Sequence, residues 1–286
     1  MSEPVLPFTG ERFTPECVRE IAHEHWHRYA FARTLARGRR ALDAACGEGY
    51  GSALLAAAGA RVLGVDVDPA TIAHARARYD GLDGLRFDVG DATALDALPD
   101  ASFDLIASFE TLEHVREQAR MLDGFARLLA PGGVLLVSTP DRHEYTDRTG
   151  EVNPHHVREL YRDEFEALLA PRFAARRLYG QKLLFQSALW ALDDGGTAAA
   201  PADDTAQRLT HGADGIADGL RYPPLYFVAA CAHDAAALAA LPALSLYGDA
   251  AEGVYADYRD EVRRGRVAAA HIAHLEAELA RLRGAS

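Results

Sequence analysis

The most constraining feature of this chain is a repeated alternation: from Arg40 to about Tyr179, short apolar runs take turns with helix-length segments. That cadence belongs to successive βαβ units, which build a mostly parallel sheet with helices on both faces. Strands are expected at 41–45, 61–66, 85–89, 103–109, 134–138 and 173–179, and helices at 50–58, 69–79, 115–129 and 157–169. Pro69 suits a first helical turn, and Asp68 before it can cap. Residues 225–232 read as one more strand, expected to return beside the sixth at the edge of the sheet.

Around this frame the chain changes character. Upstream, 15–37 reads as a helix carrying the cluster HEHWHRY. Between 185 and 224 the runs DDGG, TAAAPADD, HGADG and DGL favour loop over core, and a loop that long in a compact domain is usually a lid or disordered. Downstream, 255–283 reads as a long helix with Ile272, Leu275, Leu279 and Leu282 spaced by three, four and three. Two heptads fit a helix packed on its own domain or an assembly contact, such as a homodimer, equally well. The expected organisation is a helical cap at 1–38, a central domain at 39–233 with an insertion at about 185–224, and a helical extension at 234–286.

Forty-two acids against thirty bases leave a net charge of -12, so DNA or long RNA would be repelled before it was read. Three cysteines, Cys17, Cys46 and Cys231, are too few and too scattered for a disulfide framework or a metal knuckle, which fits a reducing cytoplasm. The start MSEPVLPFTGERF lacks the basic, then apolar, pattern of a signal peptide, and no apolar stretch reaches the ~18–20 residues of a membrane span.

Chemistry concentrates at the expected strand ends. The first strand runs into Asp43-Ala-Ala-Cys46-Gly47-Glu48-Gly49-Tyr50-Gly51, with a helix at once behind it. Glycines there let the backbone approach a ligand, and the helix start presents free amides. Nicotinamide and flavin enzymes use a similar turn. An acid at Asp43 is unwelcome beside a pyrophosphate but suits a cationic ligand. Asp66, ending the second strand, can accept from ribose hydroxyls, and Asp91, after the third, from an adenine amino group. Three acids at three successive strand ends describe a nucleoside without phosphates.

Taken in order, ALDAACGEGYG, GVDVD, VGDA, FDLIASFETLEH and LLAPGGVLLVSTP resemble the motifs of the class I S-adenosylmethionine-dependent methyltransferases across roughly 9–232. The resemblance implies a Rossmann-like, doubly wound seven-stranded α/β sheet whose last strand is antiparallel, with S-adenosyl-L-methionine as donor. It carries donor contacts onto Asp43, Cys46, Gly47, Gly49, Asp66, Val67, Asp91, Ala92 and Phe109, and Arg28 is a candidate for the donor's carboxylate. After the fourth strand, Glu110, Glu113 and His114 can share one face of a helical turn, and two carboxylates with an imidazole suit a divalent cation.

This ExxEH element resembles the ubiquinone-pathway O-methyltransferases and the small-RNA 2′-O-methyltransferases. That likeness implies a magnesium ion or another divalent cation gripping adjacent acceptor oxygens, completed by a histidine from Asn153-Pro154-His155-His156, with His156 chosen over His155. In the metal-free alternative His114 alone is the base. The catalytic candidates are therefore Glu113, His114 and His156, and the metal candidates add Glu110. TGERFTPE, EHWHRY and NPHHVREL look like segments of methyltransferases from glycan and natural-product assembly, so the expected activity is O-methylation of a small-molecule or glycan hydroxyl. N-methylation of an amino sugar and a non-catalytic donor-binding module are the alternatives. Trp26, Tyr29, Tyr145, Trp190 and Tyr222 are candidate platforms for a ring, while His74, His211, His233, His271 and His274 are expected at the surface.

Overall fold

A computed structural model describes residues 20–79, 81–189, 208–212 and 215–284. The elements are α1 (Glu20–Arg33), β1 (Arg40–Ala44), α2 (Tyr50–Ala57), β2 (Arg61–Asp66), α3 (Pro69–Tyr79), β3 (Leu85–Val89), β4 (Phe103–Ser108), α4 (Gln118–Leu128) and β5 (Leu129–Pro140). There follow α5 (Arg162–Leu169), β6 (Ala175–Gln181), β7 (Leu209–Gly212), β8 (Gly215–Asp218), β9 (Tyr226–Ala232) and α6 (Gly253–Gly284). Residues 15–19 of the expected first helix, Cys17, Trp190 and half of the expected lid lie outside the described residues.

Seven strands form one sheet in the order β3-β2-β1-β4-β5-β9-β6. β9 is antiparallel to both β5 and β6, and so lies inside the sheet and not at its edge as expected; β6 takes the edge. Burial explains this: all seven residues of β9 are buried, whereas β6 alternates between half-buried and exposed. A strand apolar on both faces belongs between neighbours.

Side chains alternate across the sheet with the period of two that a strand imposes. Leu42, Ile106, Leu135, Val137, Phe227 and Cys231 join α4 and α5 on one face, with Phe125 and Phe165 at the centre. Ala41, Leu105, Leu136, Val228 and Ala230 face α1 and α2 on the other, where Tyr29 and Leu55 pack. The strand order reverses between β1 and β4, and ligands of doubly wound sheets bind at the carboxyl ends of strands beside such a reversal.

Three local departures matter for the site. The fourth helix starts at Gln118, because Leu112–His114 forms a single 3-10 turn first. α5 starts at Arg162 rather than 157, because the amides of Val157 and Arg158 donate to the carbonyl of Glu113 (2.8 and 3.0 Å) instead of to a helix. The insertion read as loop contains a two-stranded hairpin, β7 with β8.

Candidate active site

The donor end is built from backbone. Ala45, Gly47 and Gly49 all have left-handed φ angles (62°, 55° and 86°), a sequence of turns that glycine enters at least cost. Gly49 caps α2 with no side-chain hydrogen bond, so the first amides of that helix stay available to a ligand. Gly51 has a different duty: a Cβ there would lie 2.1 Å from the Tyr29 ring, which lets Tyr29 reach Asp43.

Asp43 is fully buried and accepts from the Tyr29 hydroxyl (2.9 Å) and the Ser52 hydroxyl (2.6 Å). Burial lifts its carboxyl to about 6 against the pull of those two hydrogen bonds. Asp66 accepts from the amides of Gly47 and Asp68, both at 3.0 Å, and so ties the glycine turn to the end of β2. Asp91 is exposed and accepts from the amide and hydroxyl of Thr93 at 2.7 Å. Val67, beside Asp66, leaves 69% of an apolar side chain in solvent, while Cys46, Ala92 and Phe109 are buried.

Sequence reasoning missed one brace. Glu48, in the middle of the glycine turn, is 1% exposed and sits 3.2 Å from His74 Nε2 and 3.5 Å from Arg78 Nη1, both on α3. His74 is thus a largely enclosed partner of the glycine turn and not a solvated surface histidine; its i, i+4 spacing to Arg78 was the available signal.

The acceptor end is built from side chains drawn from distant segments. Glu110 follows β4 with φ +50°, a strained conformation for a non-glycine residue of the kind that collects at functional sites. Its amide donates to Ser138 Oγ (3.0 Å), whose hydroxyl donates back to Glu110 Oε1 (2.6 Å), and Arg28 Nη2 lies 3.5 Å from the same oxygen. Glu110 is in this way turned toward β5 and α1, and it does not join the expected metal group.

Glu113, His114 and His156 do come together: one ligand atom from each lies within 4.8 Å of the others. Glu113 is 1% exposed; its Oε2 accepts from the Thr139 hydroxyl (3.2 Å), and its Oε1, 3.9 Å from His114 Nε2, is buried without a hydrogen-bond partner. Burial first, and the Glu110 charge second, push its carboxyl well above the usual range. His114 Nδ1 is 3.1 Å from the carbonyl of His155, and His156 Nδ1 is 2.6 Å from Glu159 Oε1. An Nδ1 proton donated outward makes Nε2 the lone-pair nitrogen in both rings, the arrangement that orients metal-binding histidines, although the His156 Nε2 lone pair accepts from the Asn153 side-chain amide (3.1 Å), which a cation would displace. The carbonyl of His155 meets the His114 ring, and the imidazole brought near Glu113 and His114 is that of His156. Gln118 locks the two segments by donating to the carbonyls of Leu112 (2.8 Å) and Arg158 (2.9 Å). An orphaned buried carboxylate oxygen and two pre-oriented imidazoles fit a divalent cation.

Arg28 is 3% exposed, donates Nε to Gln181 Oε1 (2.8 Å) and lies over the Tyr226 ring at 4.5 Å. Both of its terminal nitrogens are buried without a hydrogen-bond partner, which fits an arriving anionic group. Beside it Glu24 is lifted by burial to about 7, the Arg28 charge opposing. A cavity of about 590 Å³ reaches Glu24, Arg28 and Tyr222 from the side of β6 and the 243–247 segment, flanking the metal group without containing it. Of the ring platforms, Trp26 and Tyr29 pack against Tyr50, whereas Tyr145 lies beside His156 (ring centroids 5.4 Å apart).

The strand order with an antiparallel β9 inside it, the glycine turn and the acids at β1 and β2 give the arrangement of a Rossmann-like methyltransferase fold. Residues 42–137 match the family described as "Methyltransferase domain". A protein of Mycolicibacterium smegmatis named "Probable S-adenosylmethionine-dependent methyltransferase" is 44% identical over 167 residues, covering 57% of this chain and 63% of its own length. The "Ubiquinone biosynthesis O-methyltransferase" of Xylella fastidiosa is 42% identical over 117 residues, covering 40% and 47%. The chain thus spans less than two thirds of the length of these curated relatives. Among solved structures, an S-adenosylmethionine-dependent methyltransferase from Mesorhizobium loti shares the fold with a TM-score of 0.50 at 20% identity, covering 73% of this chain and 97% of that one. Among the described residues, no helix is long and apolar enough to cross a membrane.

Proposed function

We propose that the chain is an S-adenosylmethionine-dependent O-methyltransferase that acts on a small or glycan-linked acceptor bearing two adjacent oxygens, with one divalent cation held by Glu113, His114 and His156. The observation that carries this reading is the buried, partnerless Oε1 of Glu113 facing two histidines whose Nδ1 atoms are engaged elsewhere. The likeness to an enzyme named as an O-methyltransferase supports the oxygen acceptor.

The donor supplies a methyl group on a cationic sulfur, so that the C–S bond breaks as the C–O bond forms, and a bound cation lowers the pKa of a coordinated hydroxyl. The chain's own share is alignment and management of charge. The α2 start and Asp66 hold the nucleoside end, and the two terminal nitrogens of Arg28 receive the donor's carboxylate. Glu113, His114 and His156 orient the acceptor oxygens, and Tyr145 offers an apolar face beside them. His114 Nε2 supports a second reading, in which it takes the hydroxyl proton without a metal. Turnover of catechol-like and sugar diols, measured with excess chelator and after return of magnesium or manganese, tests both. Loss and recovery support the metal; full turnover in chelator, abolished only in His114→Ala, leaves His114 as general base.

A further inference from the structure

α6 contains 32 residues, about 48 Å of helix at 1.5 Å per residue. Its one ring contact with the rest of the chain among the described residues is near its start, Phe185 against Tyr258. From Arg263 to Arg283 every residue is exposed, including Ile272 (56%), Leu275 (44%), Leu279 (51%) and Leu282 (62%). Among the described residues the side chains of this stretch are all left in solvent, which disfavours packing on its own domain, one of the two explanations that the spacing allowed. Helices without tertiary packing are marginal in water, and this one presents a narrow apolar seam along one side.

The seam has a register. With Ile272 and Leu279 at positions a, Leu275 and Leu282 fall at d, the knobs of a coiled coil. Position g of the first heptad is then Glu278, and position e of the next is Arg283. In a parallel pair, g of one helix faces the following e of the other, so Glu278 meets Arg283 of a second copy twice by symmetry. The preceding pair, His271 with Glu276, repeats the match in weaker form. In an antiparallel pair g faces g and e faces e, and overlap of all four apolar residues sets Glu278 beside Glu278 and Glu276 beside Glu276, which repel. Toward the domain the seam fades through Ala268, Gly265 and Glu261, which confines the contact to the last two heptads.

We propose that α6 pairs in parallel with α6 of a second copy through Ile272, Leu275, Leu279 and Leu282, with Glu278 and Arg283 setting direction and register. So short a seam gives a dimer whose share depends on concentration. Sedimentation of the full chain over a hundredfold concentration range should show monomer converting to dimer. Leu275→Lys with Leu279→Lys should leave monomer throughout, with the thermal unfolding of the domain unchanged. Glu278→Arg alone, or Arg283→Glu alone, should weaken dimerisation several-fold, and the double variant E278R/R283E should restore it. A chain monomeric at every concentration would mean that another partner covers the seam, and overturns the proposal. So does a dimer indifferent to the two lysines, or single reversals that the double variant fails to rescue.

Discussion

Around the glycine turn, Asp43, Asp66 and Glu48 give their oxygens to the chain's own hydroxyls, amides and basic side chains, whereas Glu113 Oε1 on the proposed acceptor side and the terminal nitrogens of Arg28, proposed to receive the donor's carboxylate, are buried without a hydrogen-bond partner, Nη2 having Glu110 Oε1 at 3.5 Å. A buried polar group without a partner costs roughly 1–3 kcal/mol or more, so a fold that keeps several of them on one side of a cleft keeps them for a ligand. On the proposed reading the glycine turn is a frame braced from within, while the groups around Glu113 and Arg28 are completed by what binds there. Substitutions at the two ends should accordingly fail in different ways.

The largest effect is expected at the acceptor end. Glu113→Ala or His156→Ala should reduce turnover by more than the roughly 10–100-fold that follows loss of an outer hydrogen-bond partner of a metal ligand, while donor affinity, read by calorimetry, stays within about twofold. Equal losses of donor affinity and turnover would erase the distinction between the ends. Next comes Asp66→Ala, whose lost acceptor should weaken donor binding by about 1–3 kcal/mol. Gly47→Val should act likewise, because φ +55° strains a β-branched residue. Tighter binding of a dinucleotide than of S-adenosylmethionine would show that the frame had been misread.

A smaller effect is expected at Glu159→Gln, which leaves all three ligand atoms in place but removes the charge behind His156. Affinity for manganese, followed by its paramagnetic effect, should fall about tenfold, and no change would separate His156 from the metal. Because the Glu113 carboxyl is raised, a cation must displace its proton, so manganese affinity should also climb with pH.

The smallest effect concerns stability. Glu24 has a folded value of about 7 against an ordinary 4.5, so the folded form holds its proton longer than the unfolded chain. Its contribution is fully present below pH 4.5 and is lost as pH rises through 7. Glu24→Gln should therefore flatten the decline in melting temperature between pH 5 and 8, by the equivalent of about 1–3 kcal/mol. A decline of unchanged steepness would place the titration elsewhere.

The donor end was legible because its chemistry is local. The glycine turn, Asp66 and the α2 start lie within a few residues of strand ends that hydrophobic alternation marks, and two of the turn's three left-handed residues, Gly47 and Gly49, are glycines. Legibility stopped where contacts cross the chain. That Glu48 pairs with His74 and Arg78 depends on α3 packing beside the glycine turn, and that Asp43 turns inward to Tyr29 depends on the missing Cβ of Gly51. Spacing put Glu110, Glu113 and His114 on one helical turn, yet Leu112–His114 is a 3-10 turn and Glu110 is drawn off by Ser138 and Arg28.

What the sequence determined alone is the set of periodicities: two in the strands, near 3.6 in the helices, and 3.5 at the end of α6. These fix which faces are apolar, and so the number and kind of elements. Tertiary structure decided the places. β9 entered the sheet because both its faces are apolar, and residues 157 and 158 stayed out of α5 because the carbonyl of Glu113 took their amides. Apolar period is a property of neighbours along the chain, while the pairing of one buried polar group with another depends on residues that only folding brings within 3 Å.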